Sequence, residues 1–311
     1  MKLIFARSRG YVDFLPLLVV LLGVFAIIQT VVAANVGSQV VVGNSAPAVS
    51  SVVINAGSAI TLTTNTTTSI SITATVTDSN GCADITGGTT TVLLYRSGIT
   101  SSTCNTTPND QNCYKATAFT ATSSCISSTQ INTTTTLSLQ YFAQATDASS
   151  SFSAQNWLAT VSVRDTSNAT GTADSSGVEL NTLTGINVTT SSIDFGTLGA
   201  GADTGSTNQV ATTTNAGNSS TTLQLSASVT LTSGGNTIAT SSQHYSTSTF
   251  TYSGTSTALG SSPVTVGGFT LTNPTSSSNV SKATFWGLAV PGGTPTGTYS
   301  GTNVFSSLFI P

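Results

Sequence analysis

Apolar and polar residues alternate with a period of two along most of this chain. In the stretch SISITATVTD, Ile70, Ile72, Ala74 and Val76 fall on one face, and serines and threonines fall on the other. The stretches WLATVSVRD and TLQLSASVTL repeat this pattern. Because successive side chains of a strand point to opposite faces of a sheet, the pattern predicts half-buried antiparallel strands.

Short alternating stretches separated by Gly, Asn and Ser are typical of β-sandwiches. A chain of 311 residues suits two domains of roughly 100–150 residues each. The sequence therefore predicts an all-β fold with two antiparallel β-sandwich domains, at residues 51–180 and 181–311. Before them it predicts a hydrophobic helix within residues 1–34 and a linker at 35–50.

The low charge of the chain disfavours some classes of function. Charged residues make up 5% of the sequence, and the formal net charge is −3. Such a chain has no basic patch, so we expect no nucleic acid partner. Catalysis needs titratable groups in clusters, whereas the only glutamate, Glu179, and the only histidine, His244, stand apart. We therefore predict no catalytic residues and a half-exposed strand position for His244.

The N-terminus predicts export. Lys2, Arg7 and Arg9 precede an almost unbroken apolar run, Phe14–Ala34. Positive charge before an apolar segment keeps the N-terminus inside and sends the rest of the chain across the membrane. One outcome is a signal peptide cut at the alanines that end the run. Another is a retained anchor, because about 20 apolar residues can span a bilayer.

A third outcome for the N-terminus follows from a resemblance. The sequence RSRG before YVDFLPLLVV resembles the leader of type IV pilin-like and archaeal pilin subunits. This resemblance implies a cut after Gly10 and a helix retained as a filament core. The bacterial pattern has Glu at the fifth position after the cut, whereas this chain has Asp13 at the third. All three outcomes place the remainder of the chain outside the cytoplasm, at the cell surface or secreted.

The four cysteines lie within one stretch of the first predicted domain. An even number of cysteines in an exported protein indicates disulfides. Of the three pairings, we favour Cys104–Cys113, which closes a short polar loop, with Cys82–Cys125 enclosing it. The alternative is a zinc site that uses all four thiolates, although no C-x-x-C pair is present.

Asn-x-Ser/Thr sequons predict candidate glycosylation sites on the exported chain. A chain this rich in Asn, Ser and Thr also produces sequons by chance. The sequons start at Asn65, Asn105, Asn132, Asn168, Asn187, Asn218 and Asn279.

The stretch TDSNGCAD is the best polar constellation in the sequence. Asp78, Asn80 and Asp84 could present oxygen atoms to Ca²⁺, and Asp110 or Asp147 could join them. Ca²⁺ takes six to eight oxygen ligands, and the stretch lacks the rest of an EF-hand loop. We favour an ordinary Asp-Ser-Asn-Gly turn between strands. No cofactor is expected apart from a structural Ca²⁺ at this position.

The stretch FWGLAVPGGTPTGTYSGTNVF holds a glycine cluster between two strand patterns. A phosphate-binding loop needs Gly-Lys-Ser/Thr before a helix, and neither follows here. We therefore predict a β-hairpin whose connection contains the prolines and glycines. In this hairpin Trp286 or Leu288 fills the core and Phe305 extends the same pair of strands.

Several stretches resemble known surface modules. The residues DFGTLGAG and TNAGN, in the last 125 or so residues, resemble Ig-like modules of bacterial and archaeal surface proteins. The stretch VPGGTPTGTYSG is similar to the last two strands of many microbial Ig-like domains. The stretch TATVTDSNG more loosely resembles a bacterial Ig-like or cadherin-like repeat. These resemblances imply two Ig-like sandwiches in an accessory or architectural protein, with no catalytic residues.

These observations predict an exported structural or interaction protein of the cell surface, for adhesion, a surface layer or a filament. The expected partners are other cell-surface proteins, further copies of the chain or surface glycans, and the membrane if the helix is retained. One alternative is a pilin-like filament subunit. Another is a carbohydrate-binding module, which would need Tyr245, Tyr252 and Trp286 to be exposed. A hydrolase is a third, which the scarcity of Glu, His and Lys disfavours.

Overall fold

The computed structural model describes residues 36–117, 125–252, 255–278 and 280–310. The predicted apolar helix at Phe14–Ala34 lies outside these residues. None of the helices in the described part of the chain is long and apolar enough to cross a membrane. The chain divides into two units, residues 1–43 and 44–311, and all sheets belong to the second.

The first half of the second unit forms two antiparallel sheets, with strand orders β1-β2-β5 and β4-β3-β6-β7. We call this pair of sheets the first sandwich. Its strands are β1 (Ala48–Ile54), β2 (Thr68–Thr77), β3 (Thr89–Arg96), β4 (Cys113–Ala116), β5 (Gln130–Leu139), β6 (Trp157–Arg164) and β7 (Thr170–Asp174). Its short helices are α1 (Cys82–Thr86), α2 (Ser101–Thr106) and a 3-10 turn (Asn55–Gly57).

The alternating residues of β2 build the core of the first sandwich. Ile70, Ile72, Ala74 and Val76 are all buried, which confirms the face predicted from the sequence. They belong to the same apolar cluster as Trp157 of the opposing sheet. The Trp157 indole Nε1 donates to the Gln144 carbonyl at 2.9 Å, so its one polar atom is satisfied inside the core.

Two disulfides crosslink segments of the first sandwich. Cys82 bonds Cys125, and Cys104 bonds Cys113. This is the pairing that the sequence favours, and it leaves no described cysteine free for zinc. The loop predicted between Cys104 and Cys113 is only partly a loop, because α2 (Ser101–Thr106) continues past Cys104. The Thr100 side chain caps α2 by accepting from the Thr103 N–H at 3.2 Å.

The two disulfides should contribute unequally to stability. A longer closed loop restricts the unfolded chain more, and the loops span 43 residues for Cys82–Cys125 and 9 for Cys104–Cys113. We expect the Cys82→Ser/Cys125→Ser variant to lose about 4 kcal/mol of unfolding free energy, and Cys104→Ser/Cys113→Ser about 3 kcal/mol. Urea unfolding of both variants tests this ranking. The reverse order would contradict the loop-length account.

The second half of the unit forms two further antiparallel sheets, which we call the second sandwich. One sheet has the order β13-β12-β15-β9-β8, and the other contains β11-β10-β14 with β16 also paired to β10. Its strands are β8 (Ile186–Val188), β9 (Gln209–Asn215), β10 (Thr221–Ser233), β11 (Asn236–Ile238), β12 (Gln243–Ser246), β13 (Thr257–Ala258), β14 (Val264–Leu271), β15 (Ser281–Leu288) and β16 (Ser300–Phe309). A 3-10 turn covers Thr240–Ser242.

Trp286 lies at the centre of the second core. The sequence left Trp286 and Leu288 as alternatives for the core, and both are buried, Trp286 fully. The Trp286 ring lies 5.6 Å from Tyr245 and 5.7 Å from Phe305, measured between centroids. The indole Nε1 donates to the Thr284 hydroxyl at 2.9 Å. Tyr245 comes from the same sheet as Trp286 and Phe305 from the opposite sheet. The tryptophan therefore joins the two layers.

The predicted hairpin between β15 and β16 is wrong. The two strands lie in different sheets, because β15 pairs with β9 and β12 while β16 pairs with β10. The connection, residues 289–299, is longer than ordinary hairpin loops of about two to five residues. It crosses from one sheet to the other. Phe305 still reaches Trp286, but it does so across the core instead of along one strand pair.

Two smaller predictions also differ from the structure. The apolar residues Ile193, Phe195 and Leu198 in the sequence SIDFGTL predict an edge strand, but residues 189–208 contain no strand. Ile193 and Phe195 instead pack on the second core from an irregular segment that is rich in glycine. The alternation in the stretch SAITLTT likewise predicts a strand, but the stretch forms only a single bridge, between Ile60 and Leu180.

The two sandwiches meet along a hydrogen-bonded junction at residues 180–185 and 215–218. The TNAGN stretch supplies the turn between β9 and β10, and within it the Gly217 N–H donates to the Asn215 side chain at 2.9 Å. A Cβ at Gly217 would lie 2.1 Å from the Leu183 carbonyl oxygen, so this close approach requires glycine. The junction lies within one compact unit, and the predicted boundary near Asn181 stays a prediction.

Asn218 is the central side chain of the junction. Its Oδ1 accepts from the Leu183 N–H at 2.6 Å, and its Nδ2 donates to the carbonyls of Ala143 at 3.0 Å and Asn181 at 3.2 Å. Ala143 belongs to the core of the first sandwich, and Asn218 precedes β10 of the second. One buried amide therefore bonds both halves of the unit and the segment between them.

Candidate functional site

An open cleft lies on the second sandwich, with a volume of about 1140 Å³. Residues 190–200 and 294–303 line its sides, and β16 contributes Phe305. Leu231, Ile238 and Leu288 line it as well, and they form a small buried apolar cluster. The cleft therefore gives access to an apolar surface that the sheets do not cover fully.

The lining of the cleft is nearly uncharged. Among its described lining residues Asp194 is the only carboxylate, and none is Lys, Arg, His or Cys. Gln243 and Asn303 bond each other through their amides, with Asn303 Nδ2 donating to Gln243 Oε1 at 2.9 Å. Proton transfer needs a paired acid and base, and this lining offers none. Its chemistry suits an uncharged, largely apolar occupant with backbone groups to pair.

Strand β16 gives the cleft an unpaired backbone edge. β16 pairs along its length with β10, from Phe309 opposite Thr221 to Ser300 opposite Thr232. In the described part of the chain no strand pairs with its other edge. Leu308 on this strand is 44% exposed. An unpaired edge of ten residues is a template for an added strand, because its N–H and C=O groups lack sheet partners.

The segment Val36–Val42 is the most exposed apolar part of the described chain. Val36, Val40, Val41 and Val42 are 79–89% exposed, whereas the next most exposed large apolar residue, Ile126, is 54% exposed. Residues 36–43 form no helix or strand. β-Branched residues favour strands, so this segment has the composition of a strand. In the described structure, however, it pairs with no sheet.

The aromatic residues of the carbohydrate-binding alternative do not form an exposed platform. Trp286 is fully buried and Tyr245 is 3% exposed, so neither ring can stack on a sugar. Tyr252 is partly buried, and its hydroxyl donates to the Ser242 carbonyl at 2.9 Å. The alternation of β12 and β15 turns both large rings into the core, so these residues do not supply the stacking platform that a carbohydrate-binding module would need.

His244 occupies the half-buried strand position that the sequence predicts. Its Nδ1 lies 2.8 Å from the Ser256 hydroxyl, and its ring lies 4.6 Å from that of Tyr252. Burial lowers the pKa of His244 below its ordinary value of 6.5 and raises the pKa of Tyr252. Burial thus favours the neutral imidazole, and in the described part of the chain no carboxylate bonds it as the orienting group of a catalytic triad would.

The sequons divide by exposure. Asn218 is 4% exposed and its amide is fully engaged in the junction, so its side chain is not accessible for glycosylation in the folded chain. Asn279 lies outside the described residues. The other sequon asparagines are exposed, and glycosylation stays a prediction for them: Asn65, Asn105, Asn132, Asn168 and Asn187.

The predicted calcium ligands are partly brought together. Asp78 and Asp84 lie close to each other, and the structure adds Asp165, which no local motif marks. Asn80 has a different role, because its Oδ1 accepts from the Ser45 N–H at 2.6 Å. Asp147 lies elsewhere and accepts from the Thr182 hydroxyl at 2.6 Å. Asp110 is likewise outside the cluster, and its carbonyl accepts from the Tyr114 hydroxyl.

The sequence did not reveal the cleft and its edge strand. The signal available was the length of the 289–299 connection, which exceeds that of an ordinary hairpin. No protein-family model matches the chain, and no curated protein matches it either. Any function must therefore be argued from the geometry of these residues.

Proposed function

We propose that this chain is an exported, non-catalytic structural protein of the cell surface that assembles with further copies of itself. In this proposal its two sandwiches are Ig-like modules, and the free edge of β16 is the contact face. The observation that carries the proposal is the ten-residue unpaired edge beside a nearly uncharged cleft. Sheet edges of this length are normally covered, twisted away or used for pairing.

The occupant of the edge is the segment Val36–Val42 of a second copy. In an extended conformation Val36, Val40 and Val42 fall on one face, so all three can enter the cleft while the backbone pairs with β16. Seven residues span about 23 Å, which is shorter than the ten residues of β16. Burial of the valines removes apolar surface from water at about 25 cal/mol per Å².

The low charge of the chain supports this assembly. Asp194 is the only carboxylate in the lining, and residues 36–43 carry no charge at all. No like-charge repulsion therefore opposes the contact. Donor and acceptor are different surfaces of one chain, so the contact is head-to-tail and propagates into a filament or layer unless the ring closes.

The predicted processing fits the same proposal. A signal-peptide cut after Ala34 would leave the valine segment at the new N-terminus, where it could extend to another molecule. A retained helix, as in the anchor and pilin-like alternatives, would keep the segment next to the membrane or a filament core. N-terminal sequencing of the native protein separates these cases, with starts at Asn35, Met1 or Tyr11.

The test is the oligomeric state of the exported chain as it is processed by its host. We expect light scattering and electron microscopy to show concentration-dependent oligomers. The Val40→Asp/Val42→Asp variant should be monomeric, because two carboxylates would be buried in an apolar cleft. Ile126→Asp, an exposed aliphatic position outside both surfaces, should assemble as the unmodified chain does.

A synthetic peptide NVGSQVVVG provides the second arm. In excess it should occupy the β16 edge and dissociate the oligomers, and a scrambled peptide should have no effect. An unmodified chain that stays monomeric at every concentration would overturn self-assembly. Oligomers that survive both Val40→Asp/Val42→Asp and the peptide would show that another surface makes the contact.

A further inference from the structure

Three carboxylates meet at one end of the first sandwich. One oxygen from each of Asp78, Asp84 and Asp165 lies within 4.8 Å of the others. Asp78 and Asp165 are each 2% exposed. Like charges at this separation repel strongly when water is excluded, so the arrangement needs a compensating charge.

The basic side chains of the described chain do not supply that charge. Arg96 donates to Gln144 and Gln155, Lys115 to the Asn105 carbonyl, and Lys282 to the Gly268 carbonyl. Arg164 is exposed. Buried carboxylates normally form an ion pair with a basic side chain or bind a metal ion. In the described part of the chain, no basic side chain pairs with this cluster.

Hydrogen bonds satisfy part of the cluster and leave one oxygen without a partner. Asp165 accepts from the Ala169 N–H at 2.8 Å and from Asn44 Nδ2 at 2.9 Å. Asp84 accepts from the N–H and hydroxyl of Thr166. Asp78 accepts from the Asn80 N–H through Oδ1 at 2.8 Å.

The second oxygen of Asp78 is the observation that points to a ligand. Asp78 Oδ2 is buried and has no hydrogen-bond partner. A buried ionised oxygen without a partner costs several kcal/mol, and it is not a chance consequence of surface acidity because the residue is 98% enclosed. Its carboxylate lies among two others that also have lone pairs free for a cation.

We propose that Asp78, Asp84 and Asp165 bind Ca²⁺. The donor set consists only of oxygen, which favours hard cations over Zn²⁺ or Cu²⁺. Cys82 lies between Asp78 and Asp84 in the sequence, but it is held in a disulfide and offers no thiolate to a metal ion. Carboxylates from separate segments tolerate the irregular coordination of Ca²⁺ better than the strict octahedron of Mg²⁺. Water molecules complete the six to eight ligands.

The cation would join parts of the sandwich that are distant in sequence. Asp78 follows β2 in one sheet, and Asp165 follows β6 in the other. Asp84 lies on α1, which the Cys82–Cys125 disulfide fixes. Bound Ca²⁺ therefore closes this end of the first sandwich and stabilises the folded state by mass action. This inference does not depend on the proposed self-assembly.

The experiment uses the full exported chain, stripped with a chelator and then titrated with CaCl₂ or MgCl₂. We expect one Ca²⁺ per chain by isothermal titration calorimetry and a Tm raised by at least about 5 °C at saturating Ca²⁺. Mg²⁺ should bind at least about tenfold more weakly. Asp78→Asn should abolish the Ca²⁺-dependent rise in Tm.

The control is Asp203→Asn, an exposed aspartate outside both the cluster and the cleft lining, which should keep the full rise. If Asp78→Asn fails to fold, Asp165→Asn and the chelated unmodified chain supply the same comparison. No heat and no Tm change with Ca²⁺ on the unmodified chain would overturn the proposal. Equal affinity for Mg²⁺ would overturn the assignment to calcium, and an unchanged rise in Asp78→Asn would place the ion elsewhere.

Discussion

Trp286→Ala should destabilise the second sandwich far more than any surface substitution does, with a loss of about 3–5 kcal/mol of unfolding free energy. The side chain is fully buried between Tyr245 and Phe305. Its removal leaves a cavity between the two layers and takes away one of the two partners of the buried Thr284 hydroxyl, which keeps its bond to the Ala211 carbonyl. For a unit of this size the Tm should fall by roughly 10 °C.

The measurement can separate the two sandwiches, because the chain has only two tryptophans. In Trp286→Ala the fluorescence of Trp157 reports the first sandwich alone, while circular dichroism reports all sheets. Val264→Ala, at a position 47% exposed on β14, is the control and should change stability by less than about 0.5 kcal/mol. A folded Trp286→Ala protein with an unchanged Tm would contradict this account of the core.

Asn218→Ala should weaken the coupling between the sandwiches, at a cost of about 3 kcal/mol. The change leaves the Leu183 N–H and the carbonyls of Ala143 and Asn181 without their partner in a buried junction. Because these groups belong to both halves, we expect the single calorimetric transition to split or broaden. The ratio of van't Hoff to calorimetric enthalpy should fall below one.

The matched control for this variant is Asn187→Ala, since Asn187 is an exposed asparagine that also lies in a sequon. It should unfold as the unmodified chain does. If Asn218→Ala and Asn187→Ala gave the same Tm and the same enthalpy ratio, the junction would not depend on the buried amide. In that case the contacts of residues 180–185 with both sandwiches would suffice.

The sequence predicted those parts of the fold that depend on local periodicity. The alternation of Ile70, Ile72, Ala74 and Val76 identified both the strand and its buried face, because a two-residue period has one interpretation when one side is apolar. For β15 the sequence left Trp286 or Leu288 as the core residue, and both are buried. The all-β class followed from the short alternating stretches and the turn residues between them, and it is what the structure shows.

Sheet assignment could not be predicted in the same way. The residues of β15 and β16 alternate whether they pair with each other or lie in opposite layers, since the inward face is apolar in both cases. Only the length of residues 289–299 distinguishes a crossing from a hairpin. The free edge of β16, and hence the cleft, is a consequence of that crossing.

The two polar sites show a second limit of local reasoning. TDSNGCAD reveals Asp78 and Asp84, but Asp165 reaches them only because β6 ends beside α1 in the folded chain. Asn218 carries the signature of a surface sequon, yet the turn that contains it is enclosed by another part of the chain. In both cases a distant segment decides the role of the residue.

The crossing between β15 and β16 also affects folding, because it makes β10 pair with a strand that comes much later in the chain. β16 is the last strand, and its partner β10 lies far upstream, so that the Thr221 hydroxyl donates to the Leu308 carbonyl across 87 residues. Contacts of such long separation form slowly. Until residues 300–309 have been synthesised, β10 lacks its longest sheet partner. In the proposed assembly, the contact face therefore forms only after β16 has paired with β10.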